Sequence, residues 1–451
     1  MPQHYRIYYL IFTLLLITSC KKLITVDAPS DEIPAGSVFS NDALADAAVA
    51  DLYYSLSGYF DSNLLPVING MTADELNTFN GTHLRYVNNA ILPTDAPLLS
   101  SWRELYKVIY GANAVLEGLA TSNGLSFEKA QQLKGEAEFV RAFCYYYLVN
   151  CWGDVPLIVT TDVNQTALAP RTGIDSVYNQ IIADLNYASQ LLPVSYNTGE
   201  KVRANRWAAI ALLARVQLQR GNWENAIALS SQVINAGIYT PLISPDSVFL
   251  RNSRPAILQV WRSEGYTLLG QTFLPSEGSF SFYPFTEDFM QSFDTADKRK
   301  NSWTKPFTYG GSTYYNCYKY RNRTAAIAGK EEYLMVLRIE EQYLIRAEAF
   351  AHLDNCRDAL ADLNVLRERA GLPALSDTTI RDSCLPLVER ERRMELFTEW
   401  GDRWFSLHRT GHLDTVMKTI KPGWKSTAAL YPIPQEERNR NPHLTQNNGY
   451  Q

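Results

Sequence analysis

Apolar residues recur every three or four positions over much of this chain, the spacing that gives a helix one buried face. Leu105-Tyr106, Ile109-Tyr110, Asn113 and Leu116 form one such stripe. Leu133, Ala137, Val140, Phe143-Cys144 and Tyr147-Leu148 form another within residues 128–149, a run that should end where Gly153 and Pro156 interrupt it. A third spans residues 176–192 and is closed by Pro193.

Two later stretches repeat one pattern. ARVQLQRGNWENAIAL (residues 214–229) and AEAFAHLDNCRDALAD (residues 347–362) align without gaps, setting Ala214 on Ala347, Gly221 on Asp354 and Ala226 on Ala359. Each reads as helix, tight turn, helix, with alanines where paired helices approach and Gly221-Asn222 or Asp354-Asn355 in the turn. That is tetratricopeptide-repeat geometry with degenerate motifs. Between the copies, AILQVW (residues 256–261) predicts a strand, and residues 263–331 are rich in Gly, Ser, Tyr, Phe and Pro without sustained period. A long irregular segment with this aromatic content is expected to be functional rather than disordered. The predicted fold class is mainly α: tetratricopeptide-like helical repeats forming a scaffold, with a long, loop-rich region carrying a few short strands.

The apolar run Tyr8 to Ile17 follows His4 and Arg6 and is too short to cross a bilayer, so residues 1–19 read as a secretory signal peptide. It stops at Ile17-Thr18-Ser19-Cys20, which resembles the lipobox of bacterial lipoproteins. Cys20 is then the expected lipidation site, the alternative being an ordinary signal with an incidental cysteine. Acyl chains would anchor firmly, at about 0.8 kcal/mol per buried methylene. No second stretch approaches the roughly 20 apolar residues of a membrane helix.

The formal charge of the 451 residues is -5, and loss of the signal removes Arg6 and no acid. This argues against a nucleic-acid partner, which needs clustered cations. Beyond Cys20 stand Cys144, Cys151, Cys317, Cys356 and Cys384, an odd number that leaves at least one thiol unpaired. With no Cys-x-x-Cys motif they are expected to serve as small core residues. Glu395 and Glu399 lie four apart on one helix face and cannot flank a glycosidic bond, and His408 and His412 lack a His-Glu-x-x-His context. Neither an enzyme, a metal site nor a cofactor is indicated.

Ordered blocks along nearly the whole chain resemble the SusD/RagB family of outer-membrane nutrient-binding lipoproteins of Bacteroidetes. They are CKKLITVDAP (20–29), GEAEFVRAFCYYYLVNCWGDVPLI (135–158), LRIEEQYLIRAEA (337–349), LNVLRERAGL (363–372), ERERRMELFTEWGDRWFSLHRTG (389–411) and LYPIPQEERNRNPHLTQNNGY (430–450). Read for themselves, residues 389–411 predict one helix with Met394, Leu396-Phe397, Trp400 and Trp404-Phe405 inside and Arg–Glu pairs at helical spacing outside. The prolines of Tyr431-Pro432-Ile433-Pro434 predict an extended tail packed across the helices.

The resemblance implies a signal peptide (1–19), an N-terminal SusD-like helical region (20–222) and a C-terminal SusD/RagB-like region (223–451) with the irregular insertion 263–331. It implies a surface lipoprotein of the outer membrane that binds oligo- or polysaccharide and delivers it to a SusC-like TonB-dependent transporter. The alternatives are peptide cargo in the same role, or a structural helical-repeat adaptor with no small ligand. A glycan site needs aromatic rings for sugar C–H faces and amides or guanidinium groups for hydroxyls. Residues 77–89 (NTFNGTHLRYVNN) and 303–320 (WTKPFTYGGSTYYNCYKY) carry that chemistry. Phe79, Trp303, Tyr309 and Tyr314 are the expected stacking platforms, Asn77, Asn80 and Arg85 the hydroxyl partners, and Gly310-Gly311 a point of freedom in the second loop.

Overall fold

The computed structural model describes residues 35–62, 65–376 and 384–450, so the signal run and Cys20 lie outside the described residues. The helices Asp42–Ser62, Ala96–Thr121, Phe127–Trp152, Ile174–Leu191, Arg206–Gln219, Trp223–Asn235, Ile339–His352 and Cys356–Ala370 each pack on the next. The fold is the mainly α, tetratricopeptide-like scaffold that the periodicity predicts. Its aligned segments are successive helical hairpins whose turns place Gly221 at φ 72° and Asp354 at φ 61°, left-handed backbone that glycine adopts freely and aspartate tolerates. Ala214, Leu218, Ala226, Ile345 and Ala349 form one buried cluster between them. Among the described residues no helix is long and apolar enough to cross a membrane.

The Phe127–Trp152 helix carries more than a stripe: every residue from Gly135 to Val149 is buried, because neighbouring helices enclose it on several sides. The polar residues this buries are paired. Glu136 holds Arg203 at 2.7 Å, and Arg141 grips Asp184 with two hydrogen bonds of 2.7 and 2.8 Å. The helix ends at Gly153, φ 73°, and the extended tail closes over it. Tyr431 donates its N–H to Cys151 O at 2.8 Å, and the Trp152 indole donates to Pro432 O at 3.1 Å.

Residues 389–411 are two helices rather than one, Cys384–Leu396 and Asp402–Arg409, parted by a turn with positive φ at Thr398, Trp400 and Gly401. The expected surface pairs at helical spacing give way to buried, long-range ones. Glu395 binds Arg299, Arg338 and Arg369; Arg392 reaches Asp402; Arg403 reaches Asp74 at 2.7 Å. The cause is burial, since a charge cut off from water must find an opposite charge wherever the fold supplies one.

Strand β1 (Ala256–Val260) forms within the run AILQVW that predicts it and is buried at every position. Residues 263–331 hold more order than the missing period suggests: short helices Leu268–Phe273, Glu287–Gln291 and Lys298–Trp303, then β2 (Thr304–Tyr309) and β3 (Ser312–Cys317). Strand β4 (Leu334–Arg338) pairs antiparallel with β1, and β2 pairs with β3 from Thr304 opposite Cys317 to Tyr309 opposite Ser312. Gly310 (φ 57°) and Gly311 (φ 81°) make the turn, so the pair supplies the backbone of a tight hairpin rather than loop freedom. Cys144, Cys151 and Cys317 are buried thiols, as expected of core residues, but Cys356 and Cys384 form a disulfide with Cα atoms 5.8 Å apart.

Candidate ligand-binding site

Residues 75–79 leave the short helix Leu65–Thr72 in extended form and run beside residues 282–286. Thr286 donates to Glu75 O at 2.9 Å, Asn77 to Pro284 O at 2.8 Å, and Phe79 to Phe282 O at 2.9 Å. On the other side Phe285 donates to Tyr315 O at 2.8 Å, which ties this pair to the hairpin. Side chains alternate across a strand, so Phe307, Tyr309 and Tyr314 share one face of β2–β3. That face meets Phe79 and Phe280.

The result is an aromatic cluster. The Phe79 ring centroid lies 4.6 Å from Tyr309, 5.0 Å from Tyr314 and 5.8 Å from Phe280, and Phe280 lies 4.1 Å from Tyr309 and 5.3 Å from Phe282. Beside it opens a cleft of about 560 Å³ whose lining includes Asn77, Phe79, Tyr314 and Tyr315, the apolar Pro284, Phe285 and Met290, and the polar Thr286, Glu287, Gln291 and Lys300. Rings next to amides, hydroxyls and one charge of each sign suit a ligand with apolar faces and many hydroxyls. Glu287, which accepts from Gln291 at 2.8 Å, is the carboxylate among the described lining residues, whereas glycoside hydrolysis needs two in opposition. Among the described residues no three His, Cys, Asp or Glu stand together as a metal site.

The sequence-predicted residues divide into three sets. Phe79, Tyr309, Tyr314 and Asn77 come together here: Asn77 is exposed on the cleft, Phe79 and Tyr314 line it, and Tyr309 is 40 % exposed on the cluster's outer side. Asn80 and Arg85 stand nearby but are engaged in the backbone. The Asn80 Oδ1 accepts from Thr82 N–H and Oγ1 and so caps the turn Gly81–His83, while Arg85 Nε donates to Thr82 O at 3.0 Å and sits 3.3 Å from Asp95. Trp303 is a correction. It ends the helix Lys298–Trp303 pointing inward, is 1 % exposed, donates its indole N–H to Pro245 O at 2.9 Å and packs on Phe249 and Phe397. Having no free face, it belongs to the core. Phe280, Phe282 and Phe307 were not anticipated, although the alternating aromatics of SFSFYPF (residues 279–285) carry the strand signal that could have found the first two.

Fold and cleft together define a helical-repeat protein with an aromatic hairpin laid over its flank. The chain belongs to the SusD/RagB family. Residues 36–218 match a family profile described as "Starch-binding associating with outer membrane", and residues 283–450 match the "SusD family" profile. A SusD-like protein of Bacteroides ovatus is 27 % identical over 455 residues, covering 88 % of this chain and 80 % of that protein. Among solved structures, a SusD superfamily protein from Parabacteroides distasonis superposes with a TM-score of 0.79 at 24 % identity, over 90 % of this chain and 98 % of that one. A laminarin binding SusD-like protein gives 0.79 at 23 % identity, over 91 % and 100 %.

Proposed function

We propose that this protein is an outer-membrane lipoprotein, anchored through Cys20, that binds oligo- or polysaccharide at the Phe79–Tyr309–Tyr314 cluster and delivers it to a SusC-like TonB-dependent transporter. The observation that carries the reading is the convergence of two distant segments, 77–79 and 307–314, on one aromatic cluster beside a cleft whose lining mixes apolar residues with amides, hydroxyls and charges. Family membership supports it, as does the fold shared with a laminarin binding relative. The aromatic faces would take pyranose C–H faces; Asn77 and Gln291 would take hydroxyls, the Thr286 hydroxyl being committed to Asp74 O and the Phe289 N–H. Asn80 and Arg85 would act by holding the Phe79 segment in shape.

Affinity electrophoresis against a panel of soluble glycans tests the binding step. Retardation by at least one glycan, lost in a Phe79→Ala, Tyr314→Ala double variant, is expected. Gentle cross-linking and detergent extraction from the native membrane should recover one large β-barrel partner. A Cys20→Ala chain should leave the membrane fraction.

A further inference from the structure

A second cavity shares no lining residue with the cleft. Its floor is Leu56 of the helix Asp42–Ser62, Phe143 of Phe127–Trp152, Leu258 and Val260 of β1 and Val336 of β4, all of them buried. Ala50, Tyr53, Tyr54 and Ser57 recur at helical spacing along one face of Asp42–Ser62 and form a wall, and Ala50 and Ser57 are too small to fill the space in front of them. Tyr54, 70 % exposed, and Trp261, 48 % exposed, stand at the rim. The cavity holds about 270 Å³, whereas an apolar cavity of about 150 Å³ already stays dry and takes up benzene.

The polar groups of the deeper lining are already engaged. Arg203 donates to Glu136 at 2.7 and 2.9 Å and to Asp46 at 2.9 Å. The Gln259 amide donates to Leu250 O at 3.1 Å and accepts from Asn252 N–H at 2.8 Å. The Tyr53 hydroxyl accepts from Ala204 N–H at 3.0 Å, and the Ser57 hydroxyl donates to Tyr54 O at 2.7 Å. A sugar ring or an ion entering here gives up water and finds few partners, while an apolar body gains by leaving water. The same bonds keep the cavity open, since Arg203 ties its segment both to Asp42–Ser62 through Asp46 and to Phe127–Trp152 through Glu136.

We propose that this cavity is a binding site for a small uncharged amphiphile, whose alkyl or aryl body lies over Leu56, Phe143, Leu258 and Val336 and whose polar end stays at the Tyr54–Trp261 rim. Its volume suits a body of about two rings. The contrast with the cleft is chemical: there amides and charges stand beside the rings, and here they are turned to partners within the protein. The assignment is independent of the glycan reading.

N-phenyl-1-naphthylamine, an uncharged two-ring amine that fluoresces in apolar surroundings, is the probe, titrated into the intact chain. Saturable binding at one site is expected, displaced by octyl glucoside below its micellar concentration and by neither glucose nor laminarin. Ser57→Phe places a ring in the cavity and should weaken the probe about tenfold or more, and a Tyr54→Ala, Trp261→Ala double variant, which strips the rim and leaves the floor intact, should weaken it several-fold. The Phe79→Ala, Tyr314→Ala chain should bind the probe as the native chain does. Absence of saturable binding, displacement by glucose or laminarin, or loss of the probe in the Phe79→Ala, Tyr314→Ala chain overturns the proposal. So does native affinity in a folded Ser57→Phe chain. If thermal melts show that Ser57→Phe does not fold, the rim variant decides, and undiminished binding there overturns the proposal.

Discussion

Tyr309 and Trp303 flank the same strand and have opposite roles. Tyr309 stands at the hairpin tip with part of its ring in solvent, so Tyr309→Ala should weaken glycan affinity by about 1–3 kcal/mol, a tenfold or greater loss for most of that range, with little change in melting temperature. Calorimetry beside thermal melts checks both halves of that statement. Trp303 fills the core beneath the hairpin, between Phe249 and Phe397, with the Lys319 ammonium 4.8 Å from its ring centroid. Trp303→Ala should cost about 3–5 kcal/mol of stability in denaturant titration, through the cavity left behind and the orphaned Pro245 carbonyl. Sequence chemistry marks both as aromatics in a polar neighbourhood. It cannot separate them, because which way a ring points depends on the helix Lys298–Trp303 that precedes the strand, and that helix is too short to show a period.

Most helices longer than three turns were legible, because burial of one face imposes a period, and the repeat made the pairing of the later ones legible too, whereas Asp42–Ser62 was not read from the sequence. The break at 397–401 was not, since an apolar stripe reads continuously across a tight turn. Nor were the ion pairs, whose partners are distant in sequence. These bear on stability. Burial alone would raise the Glu395 carboxyl, but Arg369, Arg338 and Arg299 outweigh it and hold it well below the ordinary carboxylate range. A depressed carboxyl contributes its stabilisation above the unfolded-state value and loses it as pH falls below. Unfolding free energy measured from neutral to acid pH should therefore drop for the native chain and drop less for Glu395→Gln, which starts about 3–5 kcal/mol lower because three buried guanidinium groups lose their shared anion. The disulfide Cys356–Cys384 spans 28 residues and staples two helix starts together. Replacing both cysteines by serine should cost about 3–4 kcal/mol by loop-closure entropy, read as a lower denaturant midpoint.

One hydrophobic cluster extends from Leu56 to Leu444, and Asp74 is held by Arg403 across the whole length between them. The regions 20–222 and 223–451 are therefore expected not to fold when produced apart, and the intact chain should melt in a single calorimetric transition. Two independent transitions would contradict this. Sequence blocks revealed the order of the parts; they could not reveal that the last part completes the first. Tyr431, within hydrogen-bonding distance of Thr72 Oγ1 at 2.9 Å and packed on Trp152, follows Thr72 in the chain by 359 positions. A ribosome delivering this chain leaves the Trp152 pocket gaping until residues 431 and 432 have followed it out. For a polypeptide expected to be threaded through a secretion channel, such late closure keeps the nascent thread pliable. It also means that a truncation removing Tyr431 and Pro432 takes away the keystone of the molecule rather than a dispensable fringe.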